Sequence, residues 1–214
     1  VTKASQPAPP NLPAEWSTGT PVLDDEEEWW QLDLAGETFE GEAAGLEVEQ
    51  SRLTRVRLGG VRLERATFVD CALHHCDLAN LNADRCGLRR VELVECRGTG
   101  MVYIGGALRD VTLRDCRLDL TTWRATTFTK SAFVGCDLRR ADFVGADLRG
   151  VLFERCDLTA AQFSNAKLEG ARFVDCDLSG LGGVASLAGA TVRADDLVVL
   201  TELLAGALGI TVER

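Results

Sequence analysis

Eight cysteines, two adjacent histidines and a set of evenly spaced aspartates are the residues of this 214-residue chain whose types could do chemistry. Six of the thiols, Cys76, Cys96, Cys116, Cys136, Cys156 and Cys176, recur every twenty residues, and Cys71 and Cys86 stand outside that series. Cysteines invite disulfide, zinc or redox readings. No CxxC pair occurs, which removes the usual zinc and redox signature. A straight row of thiols cannot converge tetrahedrally on one zinc, and bridged Cβ atoms must approach to about 3.5–4.5 Å. Cysteine is also a small hydrophobe that packs well when buried, so the row reads as reduced core thiols with no metal site. His74 and His75 have no partners marked in sequence for a nucleophile–base–orienter set and read as solvated. Asp137, Asp157 and Asp177 fall on one outer column, where acid–base work would need a second carboxylate across a cleft. No GxGxxG or GxxxxGK(S/T) loop is present. These residues name no catalytic site and no cofactor, and the expectation is a protein that is not an enzyme.

The elements that position these residues follow from a period of five. Reading every fifth residue from Val48 gives Leu53, Leu58, Leu63, Phe68 and so on to Phe173 and Leu178, and only Ala83 and Gly98 lack a large apolar side chain. Two residues before each lies a second small or apolar set, which holds all eight cysteines. A helix needs apolar residues at i, i+3, i+4 and i+7, and a strand needs alternation. Five fits neither. It fits a coil in which each pentad makes one short side and one bend, with two side chains inward and three toward water. The twenty-residue cysteine series, matched by Phe133, Phe153 and Phe173, argues for four sides per coil, because stacked coils place like residues above like. The run from Val48 to Leu178 then makes about seven coils, a rod of roughly 30 Å at the ordinary strand spacing of about 4.8 Å.

The pentads ADFVG, ADLRG, CDLTA, AQFSN, AKLEG, ARFVD and CDLSG resemble the A(D/N)LXX consensus of pentapeptide-repeat proteins. The resemblance implies an all-β solenoid, a right-handed quadrilateral parallel β-helix, here with a C-terminal capping helix. Members include protectors of type II topoisomerases that imitate DNA in size and charge. The implied function is non-catalytic protein–protein interaction, with DNA gyrase as the named candidate partner and a structural scaffold or assembly role as the alternative. No direct contact with nucleic acid is expected.

Charge tests the mimicry idea. The chain carries a net charge of −10. Residues 1–50 hold one base, Lys3, against twelve acids, whereas residues 51–180 hold twenty bases against seventeen acids. Duplex DNA carries one charge per about 1.7 Å, so a mimic needs a sustained negative face. Over residues 51–180 two faces balance and the other two are slightly positive. Among site residues this leaves Asp137, Asp157 and Asp177 as a local acidic patch for a partner, with Trp29 and Trp30 beside the acidic run as a second candidate.

A solenoid needs caps, because its end coils expose core and unpaired edges. Four segments are expected: a disordered Pro-rich tail at 1–21, an acidic tryptophan-containing cap at 22–47, the repeat helix at 48–180, and a helix–strand segment at 181–214. In the last, Asp195 or Asp196 is placed to cap a helix whose Leu197, Leu200, Leu203, Leu204 and Leu208 recur at helical spacing, with Gly209 as a stop and Ile210–Val212 as a short strand. The segment serves either as a monomeric cap or as a head-to-head homodimer contact. Trp29 and Trp30 likewise either close the first coil or bind a partner. No apolar run approaches the roughly 20 residues of a membrane span, and the opening stretch has no apolar h-region, so the expected location is the cytoplasm.

Overall fold

The structure, a computed structural model, describes residues 6–211. Its core is a parallel β-solenoid of about 8 turns. Each pentad contributes a short strand or a single bridge residue, stacked in register on its counterpart in the neighbouring coil. Phe68 lies over Val48 and under Leu88 on one side of the coil. We call this face 1. Face 2 carries Leu53, Leu73, Leu93, Leu113 and Phe133. Face 3 is laddered through single bridges such as Asp137 to Asp157 and Asp157 to Asp177. Face 4 carries the strands Glu42–Ala44, Arg62–Glu64, Asn82–Asp84 and Val102–Ile104. Strands Thr67–His74, Gly87–Val94 and Ala107–Arg114 continue around the corner from face 1 to face 2.

Each corner is made by a single residue. The last residue of each pentad turns the chain through the left-handed region, with φ of 47° at Gln50, 54° at Asp70, 50° at Arg90 and 60° at Leu120. A residue with a Cβ is strained there by about 1–2 kcal/mol. Backbone bonds between coils hold the corners against this cost, as from Asn80 N–H to Thr99 O at 3.0 Å and Arg140 N–H to Thr159 O at 2.9 Å. Glycine removes the strain at other corners, some of them open and some crowded. A Cβ on Gly135, at φ 67°, would meet Asp115 Oδ1 at 2.2 Å.

Inside, the C-terminal half is an aromatic double stack. Phe133, Phe153 and Phe173 stack face to face on face 2, with centroids 5.1 and 5.0 Å apart. Phe143 and Phe163 do the same at 5.1 Å on face 4, and the two stacks meet edge to face, as for Phe143 and Phe153 at 82°. Trp123 closes the stack on the N-terminal side, parallel to Phe143.

The ladder begins earlier than Val48. Strands Glu28–Trp30 and Asp33–Ala35 pair with Glu47–Glu49 and Arg52–Thr54, so the acidic segment is itself a coil. Here the step between coils is nineteen residues, Glu28 against Glu47, and it becomes twenty only from Glu42 against Arg62. One residue is missing between Phe39 and Ala43, which breaks the five-residue register and hides this coil from a periodicity search. The same nineteen-residue step recurs at the other end, where Thr191 pairs with Arg172. These extra coils raise the count from the expected seven.

The Pro-rich segment, expected to be disordered, is fastened along the rod over its described residues. Ala8 N–H donates to Asp110 Oδ1 at 3.2 Å, Asn11 N–H to Asp70 Oδ1 at 2.9 Å, and Ser17 N–H to Gln31 O at 2.7 Å. The Arg52 guanidinium lies 4.8 Å from the Trp16 ring centroid, a cation–π contact. Composition alone argues for disorder because such a segment buries little apolar surface. What overrides it is a strap made of backbone donors pointed at carboxylates on the corner between faces 1 and 2. Residues 1–5 lie outside the described range.

At the C-terminus, helical turns Ala194–Leu197, Val198–Leu200 and Thr201–Ala207 close the last coil. The N-cap is Arg193, with Asp195 and Asp196 in the first turn instead of at the cap. Gly209, at φ 72°, ends the segment. The strand of this region is Thr191–Val192, ahead of the helix. The one expected at Ile210–Val212 is not formed at Ile210 and Thr211, and Val212 lies outside the described residues.

Candidate partner-binding surfaces

The thiol row is a core feature. All eight cysteines are free and buried. In the twenty-residue column each Sγ–H donates to a carbonyl of the preceding coil: Cys76 to Leu53 at 3.3 Å, Cys96 to Leu73 at 3.3 Å, Cys136 to Leu113 at 3.4 Å. Burial pushes the Cys71 thiol up to about 12 and the Cys86 thiol up to about 11, the reverse of what a reactive thiolate needs. Among the described residues no group of three or more His, Cys, Asp or Glu side chains could hold a metal ion. His74 and His75 each face a glutamate on the next coil, Glu92 at 3.1 Å and Glu95 at 3.3 Å.

Asp137, Asp157 and Asp177 stack on face 3 as the spacing predicted. Their carboxylates are turned back on their own corners. Each Oδ1 accepts the N–H two residues on: Arg139 at 3.2 Å, Thr159 at 3.0 Å and Ser179 at 2.9 Å. This is the Asx turn, and it supplies the pentad's preference for aspartate. The Arg139 guanidinium beside Asp137 holds that carboxyl below its usual range, and the Ser179 hydroxyl and N–H do the same for Asp177.

The two tryptophans part company. Trp29 is 2 % exposed, packs on Phe39 at 4.8 Å and donates Nε1–H to Val22 O at 2.9 Å. It is a core residue out of a partner's reach. Trp30, the next residue, is 55 % exposed on face 1. The C-terminal leucines divide in the same way. Leu200 is buried, and Leu203 and Leu204 pack against the core. Leu197 and Leu208 are exposed together with Val198, Val199 and Ile210.

Sequence reasoning missed the Asp70–Arg90 pair. Asp70 is a corner residue with an 8 % exposed side chain, and Arg90 of the next coil grips it through Nε at 2.6 Å and Nη2 at 2.5 Å. The signal was present as an acid–base–acid column, Asp70, Arg90 and Asp110, one coil apart. The partner that makes it matter, the Asn11 N–H, lies in a segment with no repeat.

Stacked parallel pentads, left-handed corners and Asx-turned aspartates define the class as a parallel β-solenoid built from five-residue repeats. The chain belongs to the pentapeptide-repeat family: "Pentapeptide repeat region" matches residues 107–182 and "Pentapeptide repeats (8 copies)" matches residues 49–96. Among solved structures it is similar to full-length QnrB1, a plasmid-mediated fluoroquinolone resistance protein, at 17% identity and TM-score 0.42 over 83% of this chain and 99% of that one. It is also similar to HetL of Nostoc sp. strain PCC 7120, a pentapeptide repeat protein involved in heterocyst differentiation regulation, at 19% identity and TM-score 0.33 over 78% and 85%. No curated protein sequence matches the chain. No helix among the described residues is long and apolar enough to cross a membrane.

Proposed function

We propose that this protein acts without catalysis, as a rigid rod whose surface binds another protein, and that a type II topoisomerase, DNA gyrase, is the partner to test first. The observation that carries the reading is the charge of the first coil. Residues 24–49 hold eleven acids and no lysine or arginine. All but the half-buried Glu37 are exposed. A solenoid keeps this charge in a fixed array, so a basic partner surface meets it without an ordering cost, and electrostatic steering speeds encounter. Faces 2 to 4 along the body carry mostly paired charges, including Arg97–Asp77, Arg124–Asp142 and Arg139–Asp137. The acidic end therefore supports partner binding more strongly than the body supports DNA imitation along the whole rod.

The test is a gyrase supercoiling assay at micromolar protein, with and without a fluoroquinolone. Inhibition or drug protection that weakens when Glu26, Glu27, Glu40 and Glu42 are changed together to lysine supports the reading. An unaffected gyrase removes that partner and leaves the scaffold or assembly role. The exposed Leu197 and Leu208 are the contact a head-to-head homodimer would use, while Leu200, Leu203 and Leu204 serve as the cap, so Leu208→Asp separates dimer from cap by mass without unfolding the rod. A cytoplasmic setting belongs to the same proposal, and localisation of a tagged protein in its host tests it.

A further inference from the structure

Face 1 bears a column of outward side chains that places an acid and two bases on opposite sides of an apolar residue, before continuing to Thr129. Strand register stacks Trp30 on Glu49, Glu49 on Val69, Val69 on Arg89, and Arg89 on Arg109. The column reads aromatic, acid, apolar, base, base. Trp30, Glu49, Arg89 and Arg109 are exposed, and Val69 is half-buried. About half of the arginines pair with acids on the same or adjacent coils, as in Arg85–Glu64 and Arg90–Asp70. Among the described residues Glu49, Arg89 and Arg109 form no ion pair. Two coils, roughly 9.6 Å at the usual strand spacing, separate Glu49 from Arg89.

The neighbouring column gives room for close approach. It runs Glu28, Glu47, Thr67, Gly87 and Ala107. Because Gly87 and Ala107 are small, a shallow trough lined by Thr67, Val69, Gly87, Leu88, Ala107 and Arg109 opens beside the arginines. The strap contacts the corner and the start of face 2 through Asp70, Asp110, Arg52 and Gln31, beside this face.

We infer that face 1 docks a second copy of this chain, antiparallel, about a two-fold axis that runs along strand direction through Val69. Such an axis inverts the rod and sets each column opposite itself, as an isologous interface requires. Val69 then meets Val69 of the second copy, Glu49 meets Arg89, and Trp30 meets Arg109 as a cation–π pair. In the adjacent column the long Glu47 and Glu28 lie over the small Gly87 and Ala107. Parallel docking would oppose Glu49 to Glu49 and arginine to arginine, so the charges also select the orientation. The acids of this face, Glu28, Glu47 and Glu49, all precede the near-neutral body of residues 51–180.

The contact covers five coils, roughly 24 Å of one face, well short of the ~800 Å² per partner of a stable complex. The dimer is accordingly weak and salt-sensitive, since screening over about 8–10 Å reaches exposed pairs. This inference stands apart from the choice of partner above, and its failure leaves that reading intact.

Sedimentation equilibrium of the full chain at low salt tests it. Wild type dimerises with a micromolar constant that weakens at least ~10-fold in 0.5 M salt. Glu49→Arg alone and Arg89→Glu alone each weaken it by ~10-fold or more through like-charge opposition. An equimolar mixture of the two variants recovers the dimer, as does the double variant E49R/R89E, which also shows that the substituted chains are folded. A monomeric wild type up to ~100 μM would overturn the inference, as would single variants that still dimerise or a mixture that does not recover. A dimer indifferent to these charges but lost with Leu208→Asp belongs to the C-terminal end and overturns it equally.

Discussion

Asn11 donates its backbone N–H to the Asp70 carboxylate at 2.9 Å, although fifty-nine residues separate them in the chain. The same carboxylate takes both Arg90 donors, so one corner residue ties the strap to the rod and joins two coils. Asp70→Asn loses the bidentate match and leaves Arg90 under-satisfied, a change worth about 1–3 kcal/mol. Faster cleavage of the segment before Ser17 by a broad-specificity protease should accompany the loss.

The pH dependence of that variant has a definite sign. The Arg90 hydrogen bonds hold the Asp70 carboxyl below its ordinary value, against the opposing effect of burial, and Asn11 adds to the lowering. A depressed folded pKa contributes stability above the unfolded value near 3.9 and loses it as pH falls through the folded one. The stability gap between wild type and Asp70→Asn is therefore full at about pH 5 and narrows below about pH 4. Urea unfolding at both values measures it, and a gap that stays constant or widens in acid would contradict the assignment.

Adjacent tryptophans with opposite exposure give a second contrast. Trp29→Ala empties a buried site against Phe39 and orphans the Val22 carbonyl, for a cost of about 3–5 kcal/mol. Trp30→Ala touches an exposed position and should stay within about 0.5 kcal/mol. Thermal unfolding of the two variants side by side decides it.

The repeat body was legible because it depends on a local rule: one large inward residue every five, one small one two places earlier, one corner that tolerates left-handed backbone. Cysteine spacing carried the four-sided coil for the same reason. What escaped were the places where the rule breaks or where two distant segments meet. A one-residue shortening between Phe39 and Ala43 concealed the first coil, although Trp29, Leu34 and Phe39 already had the right spacing among themselves. The strap was illegible because its anchors, Asp70 and Asp110, look like ordinary corner residues until Asn11 and Ala8 arrive. Asp137, Asp157 and Asp177 were placed on the right column, but their use in Asx turns needs backbone geometry to see.

The buried thiols yield a further prediction. Eight free, buried cysteines should resist a thiol reagent while the protein is folded, because burial denies the reagent access. Under non-reducing conditions all eight should react once it is unfolded in guanidinium. Rapid reaction of the native protein would mean that the coils open locally, and few free thiols after unfolding would mean that disulfides exist.

Ala83 is the weak point of the core. It stacks between Leu63 and Tyr103 on face 4, where every other coil of the body offers a large side chain, and an apolar-lined cavity of about 50 Å³ lies against it, Leu78, Met101 and Trp123. Gly98, the other small member of the five-residue series, leaves no equivalent space, because a Cβ there would meet Leu118 Cδ2 at 2.9 Å. The two exceptions therefore differ physically. Ala83→Val adds two methyl groups at a strand position that suits a β-branched residue. At about 0.8 kcal/mol per buried methylene, less the cost of imperfect fit, the gain should be about 1 kcal/mol, or about 2–4 °C in Tm for a chain of this size. Gly98→Ala should lower Tm instead, since Leu118 must move. A destabilised Ala83→Val would show that Tyr103 already closes the space in solution.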